Sequence, residues 1–151
     1  MNVYPGPVRI FKSLSETNDY IEAAICGYEL IFSGLDQATK DLILDKHNQL
    51  RQKVASGGEA GQPGATNMRK LTWNDELETV AQRWASQCTF GHDQMRNLCD
   101  GTVVGQNAYF GSASLDDPED TVNKAITKAA QAWYNEVSAP GFSPADINPY
   151  K

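Results

Sequence analysis

One stretch constrains this chain more than any other. Leu77, Val80, Ala81, Trp84, Ala85 and Cys88 recur at i, i+3, i+4, i+7, i+8 and i+11, which draws a single apolar stripe along a helix. It is the cleanest amphipathic stripe in the chain. The pattern predicts a helix over 74–88, opening at Asn74 with Asp75 and Glu76 in its first turn. Two further helices follow from the same logic. In 36–55, Asp36 serves as the cap, Ile43, His47, Leu50 and Val54 share a face, and Ser56-Gly57-Gly58 ends the run. In 118–138, Asp117-Pro118 opens the helix, Val122, Ile126, Ala129, Trp133 and Val137 face inward, and Pro140-Gly141 stops it.

Between the second and third helices, 102–110 mixes β-branched and aromatic residues and predicts a strand. A single strand leaves its backbone groups unpaired. Either it pairs with something irregular upstream or the chain is incomplete. Residues 57–66 form a loop by composition, and 1–25 show no sustained helical or strand period.

Charge narrows the partners. The net charge is −6, without the basic face that phosphate binding requires, so nucleic acid is excluded as a partner. No apolar run reaches the roughly 18 residues that a transmembrane helix needs. Residues 1–34 lack the shape of a signal peptide. The three cysteines, Cys26, Cys88 and Cys99, are an odd number. On these features alone the chain reads as cytosolic.

Six motifs in order change that reading. They are His47-Asn48-Gln49-Leu50-Arg51, Leu71 to Leu77 (Leu-Thr-Trp-Asn-Asp-Glu-Leu), Ala81 to Cys88 (Ala-Gln-Arg-Trp-Ala-Ser-Gln-Cys), Thr89-Phe90-Gly91-His92-Asp93, Val104-Gly105-Gln106-Asn107 and Trp133-Tyr134-Asn135-Glu136-Val137. Together they resemble the CAP superfamily of cysteine-rich secretory, antigen-five and pathogenesis-related proteins, in its insect venom-allergen branch. The resemblance covers 26–151, as a partial CAP domain apparently truncated at its C-terminus, and leaves 1–25 outside as an atypical segment standing in place of an authentic N-terminus.

The resemblance implies an α+β fold, a three-layer α-β-α sandwich that is incomplete here, in an extracellular, disulfide-tied monomer. It also implies a cleft with two histidines and two acids able to hold a divalent metal. His92 matches one histidine and Glu136 one acid. Gln106 stands where the second acid belongs, and the second histidine is expected soon after Pro149, beyond Lys151. A zinc ion wants three or four strong ligands, so the metal site is incomplete, with His92 and Glu136 only. No cofactor is expected unless a parent protein supplies the missing histidine. The resemblance pairs Cys26 with Cys88 and leaves Cys99 unpaired.

Plainer readings stand beside these. His47 and Arg51 are expected to brace their helix rather than act as base and anion site. His92 is either a structural, solvent-facing residue or a cleft residue, and Glu136 is either a cleft wall or an ordinary solvated glutamate. Trp73, Trp84 and Trp133 are expected in the core. The acidic run at Asp116, Asp117, Glu119 and Asp120 is expected to cap a helix rather than hold calcium. No phosphate loop and no Gly-x-Ser-x-Gly elbow occurs. A nucleophile built from His92 with Cys88 or Cys99 competes with the disulfide. The expectation is therefore a non-enzymatic module that binds a small amphipathic ligand, a sterol or fatty acid, or a host protein, in a groove beside the third helix with His92, Gln106 and Glu136 around it. The alternatives are a hydrolase or protease using His92 and Glu136, or a fragment with no function of its own.

Overall fold

A computed structural model describes residues 11–13, 28–30, 35–87, 89–110, 118–141 and 143. Cys26, Cys88, Asp116, Asp117 and the tail beyond Ser143 lie outside the described residues, as do the expected disulfide and the expected cap of the third helix.

The three helices form close to where periodicity places them. Helix α1 runs Gln37–Ala55. The Asp36 carboxylate accepts from the Thr39 N–H at 2.8 Å, and the Thr39 side chain together with this N–H holds its carboxyl below the ordinary value. At the other end the Gly58 N–H donates to the Lys53 carbonyl and the Gly57 N–H to that of Val54. This Schellman closure needs a left-handed residue, and Gly57 supplies it at φ +75°. Helix α2 runs Asp75–Ala85, capped by Asn74, whose side chain accepts from the Leu77 N–H at 3.0 Å. It ends short of 88. Helix α3 runs Pro118–Asn135 and passes into a π-helical turn, Val137–Gly141, so the expected 118–138 divides into two pieces.

Helices α1 and α3 pack on each other. Ile43 of α1 meets Val122 and Ile126 of α3, with Leu35, Leu42, Trp73 and Ala125 around them. Helix α2 buries Leu77 and lies farther from the other helices than α1 and α3 do from each other. Polar groups tether it to α1. The Lys40 ammonium of α1 reaches the Glu78 carboxylate at 2.6 Å and lies 5.4 Å from the Trp73 ring centre, while the Trp73 indole N–H donates to the same Glu78 oxygen.

Two short strands that the sequence pattern does not announce, β1 (Phe11–Ser13) and β2 (Tyr28–Leu30), pair antiparallel with Phe11 opposite Leu30. The expected strand over 102–110 does not form: those residues are irregular. Side chains hold two of the carbonyls in this stretch. Arg96 Nε donates to the Val104 carbonyl at 2.8 Å and Trp133 Nε1 to that of Ala108 at 3.1 Å. A strand pattern without a neighbouring strand gives an extended arm, not a sheet.

Candidate functional site

The motif His47-Asn48-Gln49-Leu50-Arg51 builds architecture. His47 Nδ1 donates to the Ile43 carbonyl at 2.8 Å, and the ring lies 5.9 Å from the Trp133 indole. Asn48 grips Leu71 twice, donating to its carbonyl at 3.2 Å and accepting its N–H at 2.8 Å. The Arg51 guanidinium spends two N–H groups on the Arg69 carbonyl, at 3.0 and 2.7 Å. One face of α1 thereby fixes the segment leading into α2, and Arg51 braces rather than waits for an anion.

The remaining motifs converge on a pair of arms. Residues 90–98 and 102–110 run side by side in opposite directions around a turn in which Gly101 takes φ +83°. The contacts step along both arms. The Leu98 N–H donates to the Thr102 carbonyl, Arg96 reaches Val104, His92 and Asp93 reach Gln106, and the Phe90 and Phe110 rings meet edge to face at 6.3 Å. The first arm is fastened to α2, where Trp84 Nε1 donates to the Gly91 carbonyl at 2.9 Å. The second arm is fastened to α3 by Trp133, which also stacks edge-on against Tyr109. All three tryptophans are half-buried at such seams rather than enclosed in the core, because each indole N–H has a partner to reach.

Asp93 is the anchor of the first arm and is only 4% exposed. Its carboxylate accepts from Arg83 Nη2 at 2.8 Å and from the Met95 N–H at 2.7 Å, and its carbonyl accepts from Arg96 Nη1 at 2.9 Å. Burial pushes the carboxyl up, but these hydrogen bonds and the two guanidinium charges outweigh it and hold the group below its ordinary value. Arg83 and Asp93 both fall within the recognised motifs, but the sequence assigned neither a role. They have no periodic partner and meet only in the fold.

His92 is exposed, and its Nδ1 lies 3.2 Å from Gln106 Oε1. The same oxygen accepts the Asp93 N–H at 2.8 Å. The structure thus brings two of the candidate residues together. Glu136 makes no hydrogen bond or ion pair with that pair among the described residues; it is exposed just beyond α3, where its carbonyl accepts the Gly141 N–H. Among the described residues its carboxylate makes no ion pair. Cys99 is exposed with a free thiol, and its N–H donates to the Glu76 carboxylate.

As a metal site the described residues do not fit. No group of three or more His, Cys, Asp or Glu side chains comes together among them, and the Gln106 oxygen is already engaged. One histidine and one carboxylate are too few donors for zinc. What the arms do offer is apolar surface. The exposed large hydrophobics among the described residues are Phe90 (71%), Met95, Val103, Tyr109 and Phe110 (79%), and all lie on 90–110. Exposed apolar side chains gathered on one segment are candidates for a contact surface. The hollows flanking α2 each admit little more than a water molecule.

Comparison with known proteins places these features in context. Residues 44–147 match the sequence model of the CAP family, described as the cysteine-rich secretory protein family. Venom allergen 3 of Solenopsis invicta is 49% identical over 109 residues, 69% of this chain and 44% of that protein. Venom allergen 5.02 of Dolichovespula maculata is 43% identical over 132 residues, 83% of this chain and 55% of that protein. Scoloptoxin SSD43 of Scolopendra dehaani is 41% identical over 125 residues, 82% of this chain and 52% of that protein. The chain thus spans about half the length of the curated relatives it matches. No solved structure matches it. Among the described residues no helix is long and apolar enough to cross a membrane.

Proposed function

The chain belongs to the CAP family of cysteine-rich secretory proteins, and from that premise we propose that it is an extracellular, non-enzymatic module that binds amphipathic ligands. The whole domain would complete the three-layer α-β-α sandwich of which the described residues supply helices. The observation that supports the reading is the apolar surface of the two arms, with Phe90 and Phe110 exposed beside the polar pair His92 and Gln106. An apolar body can lie on the aromatic rings while a hydroxyl or carboxyl head meets the imidazole, which is the division of labour a sterol or fatty acid requires.

The test is a fluorescence titration with a labelled sterol and a labelled fatty acid. Both Phe90→Ser and Phe110→Ser remove exposed rings, so stability should move by less than about 0.5 kcal/mol. The double variant is expected to weaken binding about tenfold or more, roughly 1.4 kcal/mol. Binding of neither ligand class by the wild-type protein, or undiminished binding by the double variant, contradicts the proposal.

One observation favours a second reading, contact with a host protein. Hollows that hold little more than water cannot enclose a small molecule, whereas an open apolar strip suits a protein surface.

A further inference from the structure

We propose that Gln106 is a positioning residue that holds the neutral ring of His92 as the Nδ1–H tautomer, so that Nε2 is the atom the surface offers to whatever binds there. The functional weight of this inference rests on the reading of His92 as the polar end of the arms; the tautomer itself follows from geometry alone.

A backbone N–H can only donate. The Asp93 N–H lies 2.8 Å from one terminal atom of the Gln106 amide, so that atom is the oxygen. The same oxygen lies 3.2 Å from His92 Nδ1. Two acceptors do not bond each other, so Nδ1 carries the hydrogen and donates. The Asp93 N–H cannot swing away to release the arrangement. Its residue is buried and fixed by Arg83, by the Met95 N–H and by Arg96. Both lone pairs of the Gln106 oxygen are therefore spent, which makes that oxygen a support for His92 rather than an acceptor open to a ligand.

An unconstrained neutral imidazole favours the opposite, Nε2–H form, so the hydrogen bond to Gln106 has a spectroscopic signature. The chain has only two histidines. Long-range proton–nitrogen NMR on the full chain labelled with nitrogen-15, with no ligand added, reads both rings at once. His47 serves as an internal reference, since its Nδ1–H is bonded to the Ile43 carbonyl whatever occupies position 106. In the wild type His92 should show a pyrrole-like Nδ1 and a pyridine-like Nε2. In Gln106→Met, which keeps length but removes the acceptor, the His92 population should move mainly to Nε2–H while His47 stays fixed. Gln106→Glu should restore Nδ1–H, because a carboxylate oxygen accepts both donors. His92 found as Nε2–H in the wild type overturns the proposal, as does a Gln106→Met variant that leaves its tautomer unchanged. Should the methionine variant fail to fold, the wild-type tautomer and its retention in Gln106→Glu decide alone. Since no ligand is present, failure here is distinct from failure of the binding proposal.

Discussion

The two histidines show how environment separates identical side chains. His47 sits against Trp133 with Nδ1 bonded to Ile43, and its Nε2 is buried without a partner. Burial lowers its pKa from the ordinary 6.5, the nearby Arg51 charge adds to that, and the Ile43 bond opposes it. The fold therefore favours the neutral ring, and on acidification the unfolded chain takes up this proton first. The stability His47 contributes is complete above about pH 6.5 and declines as pH falls from there toward the folded-state value. Urea midpoints measured from about pH 7.5 to about pH 5 should fall in the wild type and should be flatter in His47→Gln. An identical slope in the two proteins would show that another group is responsible. Asp36, Glu59, Asp93 and Asp100 are held below their ordinary values, so their losses have the same sign but come at lower pH, in the carboxylate range.

At the scale of elements, side-chain to backbone ties do the joining that a sheet would otherwise do. Asn48 is the clearest case, because it satisfies both polar groups of Leu71 from one turn of α1. Asn48→Ala leaves a half-buried N–H and carbonyl without their partner and should cost about 1–3 kcal/mol in urea unfolding. A loss under about 0.5 kcal/mol would mean that water replaces the amide freely. These ties also explain what the sequence could and could not reveal. Helices α1, α2 and α3 were legible because a 3.6-residue period and a cap repeat along the chain. Strands β1 and β2, three residues each, are too short to carry a period. The arm at 102–110 has strand-like composition, but composition does not say whether a neighbour exists. Arg96, Gln106 and Trp133 hold it through contacts that leave no spacing signal. His92 and Gln106 were legible through short motifs. Asp93 and Arg83 lie in the same run of motifs, but their pairing was not legible, since only folding brings α2 beside the first arm.

Across the molecule the described residues divide into a packed part and a presented part. Helices α1 and α3 share the core around Ile43, Val122 and Ile126, while α2 and the arms are joined to it by polar tethers and tryptophan seams. The tie between α1, its following loop and α3 is of the same kind: Lys53 pairs with Glu59 at 2.6 Å, and the Tyr134 hydroxyl donates to that same carboxylate. This arrangement ties the arms to α2 and α3 while their large apolar side chains stay exposed, as the proposed binding surface requires. The most direct check is amide chemical-shift mapping of the full chain titrated with a fatty acid or a sterol. Shifts concentrated on 90–98 and 102–110, with α1 and the 57–70 loop unmoved, are the expected result. Shifts confined to other segments, or none at saturating ligand, would contradict the central claim that the arms are the surface this protein presents.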